Sequence, residues 1–430
     1  MIHEEHKIKD INSMRKILVF IISLACLAMS GSVQAQTWHD AKSGDIHVFG
    51  NGWPSSIKNK YQRLPTTMRT KLKVSKVWTN SLLSSGLYVR FRTDAKAISV
   101  QYEMTQAATQ HYFVSTFGQS GIDLFARSAD GKTYHWLAPH VNNATFGSPA
   151  TAYYGNIIPA NMEGETVCEY ILYLPSLNGV SSLKVGTTDA ETFEWIEVPE
   201  ENDYIVAYGS GTVQGASASH SGNIWTNRVG RALDIQVLNF GFMGLAKLEA
   251  GVFDVLAELN RKAYIIDAMP DMLSTPDVIV ERIVAGVNTL RAVRDCPILL
   301  VESPGTPDKL IHPATEALHV EANARLKQAY DQLKAEGCRN IFYLSQEEIG
   351  LTSDDFLDGT DVNDLGMKRY AEVYLAKLAY IEEHMEGGDA IDEIPSYQSS
   401  NDKWYDLGGR QVRDDKQKGI FIQRDKKILR

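Results

Sequence analysis

The chain of 430 residues carries 43 Lys and Arg against 53 Asp and Glu, a formal charge of -10, with 44% hydrophobic and 22% charged residues. An acidic balance of this kind excludes nucleic acid and an anionic membrane surface as main partners, because both require clustered Lys and Arg. The length exceeds one typical domain and predicts two or more compact units, each with its own core.

At the N-terminus, Arg15 and Lys16 precede the apolar run from Ile17 to Met29, which gives way to small residues and Val33-Gln34-Ala35. This is the pattern of a secretion signal covering residues 1–35, and its apolar core is too short for a spanning helix. Ser23-Leu24-Ala25-Cys26 approaches a lipoprotein cleavage site, but Ser stands where a bulky aliphatic residue is usual and apolar residues continue past the cysteine. The expected location is secreted or periplasmic, with association to the cell surface as a variant. Beyond the leader only Cys168, Cys296 and Cys338 remain, none in a metal-ligand spacing. The fold is therefore expected to rest on packed cores, with no metal and no cofactor.

Residues 36–200 read as strands. Leu87, Val89 and Phe91 alternate with Tyr88, Arg90 and Arg92, the period of two returns at Ile98, Val100 and Tyr102, and again at Val167, Glu169, Ile171 and Tyr173. With Gly and Asn turns between segments and no sustained period of 3.6, the expectation is an antiparallel β-sandwich. Aromatic residues are dense here, among them Trp38, Trp53, Trp78, Tyr134 and Trp136. Core and inter-strand pairing is the first reading of them, a sugar-stacking platform the second.

From residue 201 to 385 the period changes. Apolar strands near Tyr204–Tyr208, Val237–Phe240, Ala263–Ala268, Ile298–Val301 and Ile341–Leu344 alternate with amphipathic helices, the last with Tyr370, Val373, Tyr374, Lys377, Leu378 and Ile381 on one stripe. Repeated strand-helix units predict a parallel sheet covered on both faces, hence a three-layer α/β domain of flavodoxin-like type. Residues 386–402 form an acidic linker bearing Gly and Ser. Residues 403–430 are basic and read as one or two small hairpins; they resemble the C-terminal segment of many exported Bacteroidetes proteins, which implies a role in sorting or retention, against the alternative of a solvated tail.

Asp203 to Gly215 runs as an apolar strand into a glycine turn before a helix, where open α/β sheets place their chemistry. The block Tyr208-Gly209-Ser210-Gly211-Thr212-Val213-Gln214-Gly215 resembles the nucleophile block of the SGNH (GDSL-type) hydrolases. Asn239 to Gly244, Met269-Pro270-Asp271-Met272 and Asp358 to Met367 resemble that family's three later blocks, in order. Segments such as Gly121-Ile122-Asp123-Leu124-Phe125 are similar to the Gly-x-Asp-Leu-Tyr sandwich that precedes a bacterial subgroup of the family, with Phe125 in place of Tyr.

The resemblance implies a nucleophilic serine at position 211, an oxyanion-binding asparagine at 271, a histidine base at 361, an amide donor at Gly244 and an acid at Asp358. This chain has Gly211, Asp271 and Asp361 at the first three. A glycine offers no hydroxyl, an ionised aspartate accepts hydrogen bonds and repels developing negative charge, and a second carboxylate beside Asp358 leaves no imidazole to orient. Ser210 is the fallback nucleophile, one residue early. Glu302, after an apolar strand, is expected at the same cleft as a ligand contact or as a loop-fixing group. Asp271 and Asp361 are the other ligand-binding candidates; gathered with Asp358, they would suit an amine, sugar hydroxyls or a hard cation, or else stand as solvated rim acids. His220, His312 and His319 show no metal or nucleophile-pair spacing and read as surface or capping residues.

The leading expectation is thus a secreted protein of this fold that has lost ester hydrolysis and binds carbohydrate or an acylated glycan, a ligand class implied by the resemblance alone. The alternative is an active carboxylic-ester hydrolase with a rearranged site, using Ser210 or a water near Gly211. A surface protein with no ligand is the third.

Overall fold

The computed structural model describes residues 36–386, apart from 59, 73–74, 109–113, 140–144, 158–166, 189, 200–203 and 260, and short segments between 404 and 429. The leader and most of the 386–402 linker lie outside the described residues.

Among the described residues the first half forms β1 (Thr37–Asp40), β2 (Val48–Phe49), β3 (Tyr88–Thr93), β4 (Ala97–Met104), β5 (Asp123–Arg127), β6 (Tyr134–Leu137), β7 (Ala150–Tyr154), β8 (Cys168–Tyr173), β9 (Val180–Thr188) and β10 (Phe193–Ile196). Period-two alternation sends every second side chain inward, so two antiparallel sheets close on each other. Their orders are β1-β9-β4-β7 and β10-β3-β8-β5-β6, with β2 paired to β3. Ile98, Val100, Leu183 and Val185 from the first sheet meet Val89, Phe91, Tyr170 and Leu172 from the second, all fully buried.

The outer face of the second sheet is covered too. Phe125, Ile171 and Tyr173 are buried in a cluster of their own, and the Arg231 guanidinium lies 4.2 Å from the Phe125 ring centre and 5.3 Å from that of Tyr173. This explains why β8 is buried almost throughout instead of alternating cleanly.

The second half builds a five-stranded parallel sheet from β11 (Tyr204–Gly209), β12 (Gln236–Gly241), β13 (Arg261–Asp267), β14 (Ile298–Val301) and β15 (Ile341–Leu344), in the order β12-β11-β13-β14-β15. Alternate residues of one strand serve different cores. Tyr204, Val206 and Tyr208 pack with Val252, Phe253, Ile283 and Leu326, from the helices Ala250–Leu256, Ile279–Arg291 and Pro313–Ala335. Ile205 and Ala207 pack with Trp225, Val229, Tyr370 and Tyr374, from the helices Trp225–Leu233 and Asp364–His384. A sheet covered on both faces needs continuous apolar strands, and that is the pattern expected from the sequence. Farther on, β16 (Trp404–Asp406), β17 (Gln411–Val412), β18 (Ile420–Gln423) and β19 (Lys426–Leu429) pair antiparallel in the order β17-β16-β18-β19.

Buried polar contacts tie the halves together. Arg63 Nη1 donates to the carbonyls of Asn239 (3.1 Å) and Gly241 (2.6 Å), while its Nη2 donates to the Asn80 carbonyl and side chain. Ser85 Oγ donates to the Gln214 carbonyl at 2.6 Å, and Gly50 N to Gln236 Oε1 at 2.8 Å. Gly86, at φ +75°, lets the backbones approach: a Cβ there would stand 2.5 Å from Asn239 Cβ.

Candidate active site

The carboxyl ends of β11, β12 and β13 converge at one place. β11 ends at Gly209, where any Cβ would meet the Asp267 carbonyl at 2.0 Å, and the Ser210 amide donates to that carbonyl at 3.1 Å. Ser210 is extended and Gly211 opens the short helix Gly211–Gln214. The Ser210 side chain is 2% exposed, and its Oγ has no hydrogen-bond partner. It points into the protein instead of the cleft.

Position 211 is turned toward the loops that carry Met243 and Asp361. A Cβ on Gly211 would stand 3.1 Å from Met243 Cγ and 3.4 Å from Asp361 Oδ1. The structure therefore brings Gly211 and Asp361 together, as a nucleophile and its base would be. Asp358 belongs to the same loop; its Oδ1 accepts from the amides of Thr360 and Asp361, both at 2.7 Å, and so holds the turn that presents Asp361. Asn363 caps the following helix by accepting from Leu365 N and Gly366 N, and Ser217 Oγ donates to the Val362 carbonyl at 2.6 Å, which fastens the loop beside the Gly211 turn.

The loop after β12 carries Met243 and Gly244. Gln214 Oε1 accepts from Met243 N at 2.9 Å, and Gly244 sits at φ +71°. Asp271, in the short helix Met269–Met272, is turned toward this loop. Its Oδ2 accepts from Ala246 N at 2.9 Å, and the amides of Gly244 and Leu245 also favour its charged form. Lys247 donates to the Asp271 carbonyl. Burial raises the Asp271 pKa above the ordinary carboxylate value, while the amides and Lys247 oppose the rise. The Gly244 amide, which would serve an oxyanion, thus already interacts with a carboxylate of the protein itself.

Glu302 is held elsewhere. Its Oε1 accepts from Tyr343 OH and its Oε2 from Gln346 N, each at 2.5 Å, so it ties the ends of β14 and β15 to the helix Gln346–Ile349. Among the described residues, no three or more His, Cys, Asp or Glu gather as ligands for a metal.

Two ionisable groups near the site have no motif to mark them. Asp267 ends β13 beneath the Gly211 turn, is fully buried, and accepts from Tyr374 OH at 2.8 Å through Oδ2, with Oδ1 unpartnered. Burial pushes its pKa up to about 7. The only signal in the sequence is an acid closing an apolar strand. The second group is His220, whose Nδ1 donates to Asp123; Trp136 Nε1 donates to the same carboxylate and the Trp136 ring stacks on the imidazole at 4.7 Å. Gly222 N adds a bond to Asp123 at 2.8 Å. The aspartate of the Gly-x-Asp segment thus clasps the second half. His319 Nδ1 lies 2.6 Å from Ser303 Oγ in a buried pair, and His312 precedes the helix Pro313–Ala335 without a side-chain cap.

A family model of the GDSL-like lipases and acylhydrolases matches residues 202–379, and one of the GxDLY N-terminus of SGNH-hydrolase-type esterases matches residues 36–193. The chain belongs to the GDSL-like lipase/acylhydrolase family. Among solved structures, it is similar to a protein described as a GDSL-like lipase from Bacteroides ovatus ATCC 8483, with 24% identity and a TM-score of 0.70 over 81% of this chain and 98% of that one. It is also similar to the salicylyl-acyltransferase SsfX3 from a tetracycline biosynthetic pathway, at 14% identity and a TM-score of 0.62 over 80% and 97% of the two chains. A family two carbohydrate esterase from Cellvibrio japonicus gives 12% identity and a TM-score of 0.50 over 81% and 98%. No curated protein matches the chain. These likenesses establish the GDSL fold with its preceding sandwich.

Proposed function

We propose that this GDSL-family protein has given up acyl transfer and is an exported carbohydrate-binding pseudoenzyme. The observation that carries the reading is the Asp271 carboxylate turned onto the amides of Gly244 to Ala246. An oxyanion needs those donors free, and a fixed negative charge in their place reverses a contribution worth several kcal/mol in acyl transfer. Two further features support it. Gly211 supplies no hydroxyl where the backbone still presents the position to Asp361, and the neighbouring Ser210 hydroxyl is buried. Asp361, half-buried beside the exposed Gly359 and Thr360, offers a carboxylate to sugar hydroxyls. The fold likeness to a protein named as a carbohydrate esterase supports the same ligand class. Export rests on the N-terminal leader pattern; among the described residues no helix is long and apolar enough to cross a membrane.

The test is an assay of the purified protein with short-chain aryl esters and acetylated oligosaccharides, beside the triple variant Gly211→Ser, Asp271→Asn, Asp361→His. Silence of the unaltered chain with turnover by the triple variant is expected. Turnover by the unaltered chain that Ser210→Ala abolishes would overturn the proposal. A glycan array with the unaltered protein tests the binding half, which fails if no sugar is retained.

A further inference from the structure

The outer face of the sheet β1-β9-β4-β7 presents a pattern that the cleft does not use. Strand register places Trp38, Gly186, Ser99 and Tyr153 in one row across the four strands: Trp38 pairs with Gly186, Gly186 with Ser99, and Ser99 with Tyr153. The next row on the same face is Asp40, Lys184, Gln101 and Thr151. Inward neighbours such as Ile98, Val100, Val185, Ala152 and Tyr154 fill the sandwich core, so these two rows point the other way.

Both aromatic rings lie down on glycines. A Cβ on Gly186 would stand 2.9 Å from Trp38 Cζ3, and one on Gly155 would stand 2.7 Å from Tyr153 Cε1. Any larger residue at 186 would displace the Gln36 side chain, 2.5 Å from its Cβ, together with the edge of the indole. Trp38 is still 38% exposed, so a ring face is offered to solvent. Between the two aromatics runs an open trough of about 300 Å³, lined by Gln36, Trp38, Ser99, Gln101, Thr151 and Tyr153. The outer strands of this sheet are three spacings apart, about 14 Å, a span that suits a short oligosaccharide.

The chemistry is specific to one kind of occupant. A sugar ring offers an apolar face of C–H groups and a rim of hydroxyls; flat aromatic rings meet the first, and Gln, Ser and Thr side chains beside them meet the second. The adjoining row carries one charge of each sign, Asp40 and Lys184. The other sheet of the sandwich faces the α/β half, so this platform lies on the opposite side of the sandwich from it.

We propose that the row from Trp38 to Tyr153 is a binding platform for a neutral glycan chain, separate from the Gly211 cleft. The inference shares with the proposed function only the class of ligand. Affinity electrophoresis of the full chain in gels containing hydroxyethylcellulose, xylan or galactomannan, with polygalacturonate as a charged control, tests it. Trp38→Ala and Gly186→Leu are each expected to weaken retardation by a neutral polysaccharide at least tenfold, with folding checked by circular dichroism, while Leu318→Ala, an exposed position on the helix Pro313–Ala335, leaves retardation intact. If Trp38→Ala and Gly186→Leu leave retardation unchanged, the platform is overturned and the glycan is held elsewhere on the chain. If Leu318→Ala weakens it as much as they do, or if the unaltered chain passes all three neutral gels unretarded, the platform is overturned as well.

Discussion

Asp361 Oδ1 lies 3.4 Å from where a side chain at Gly211 would begin. The backbone of an acyl-transfer site is thus still assembled around a residue that cannot attack and a partner that cannot shuttle a proton through an imidazole. The consequence is that single reversions should stay silent. Gly211→Ser alone is expected to give no ester hydrolysis above background, because Asp271 still occupies the oxyanion donors. The triple variant is expected to exceed Gly211→Ser by about 100-fold or more, the scale of one oxyanion donor. Initial rates with 4-nitrophenyl acetate decide it.

Asp271 should matter to the loop more than to any reaction. Asp271→Ala leaves the Gly244 to Ala246 amides without their acceptor and is expected to destabilise the protein by about 1–3 kcal/mol. Asp271→Asn retains one acceptor oxygen and is expected to cost less. Urea denaturation of the two variants measures the difference.

Asp267 predicts a pH dependence. Its folded pKa, about 7, exceeds the ordinary 3.8, so the folded state holds a proton that the unfolded state has lost between those values. Stability from this group is therefore fully present below pH 3.8 and falls as pH rises toward 7, by an amount on the order of 4 kcal/mol. Asp267→Asn keeps the Tyr374 contact and stays neutral. It is expected to flatten stability between pH 5 and 8 relative to the unaltered chain, read as melting temperature against pH.

Arg63 predicts how the two halves unfold. Its guanidinium spans from Asn80 to the carbonyls of Asn239 and Gly241, inside a buried junction. Arg63→Ala leaves those acceptors unpaired and is expected to cost about 3–5 kcal/mol. It should also split a single calorimetric transition into two, which differential scanning calorimetry would show.

The elements of the α/β half were legible because each strand is an apolar run and each helix has a stripe; the observed β14 and β15 match the expected spans residue for residue. Gly211, Asp271 and Asp361 could be placed by their blocks. What sequence could not reveal is where a side chain points. Asp271 reads equally as a rim acid or a loop anchor until the amides of the neighbouring loop are seen beside it. Glu302 was expected at the cleft or as a loop-fixing group, and its two short bonds to Tyr343 and Gln346 depend on the side-by-side placing of β14 and β15. The row joining Trp38 to Tyr153 is invisible in linear order, because it joins residues from four strands scattered over more than a hundred positions.

The sheet that holds Phe125, Ile171 and Tyr173 has no dry side to spare. Its inner face fills the sandwich, and its outer face is roofed by Arg231 and its neighbours. Cutting the chain near residue 200 would therefore not liberate a ready-made module; it would strip a wall from each of two rooms. The sandwich is best regarded as masonry shared with the α/β half, and a fragment ending at that point would present its aromatic wall to any surface willing to cover it.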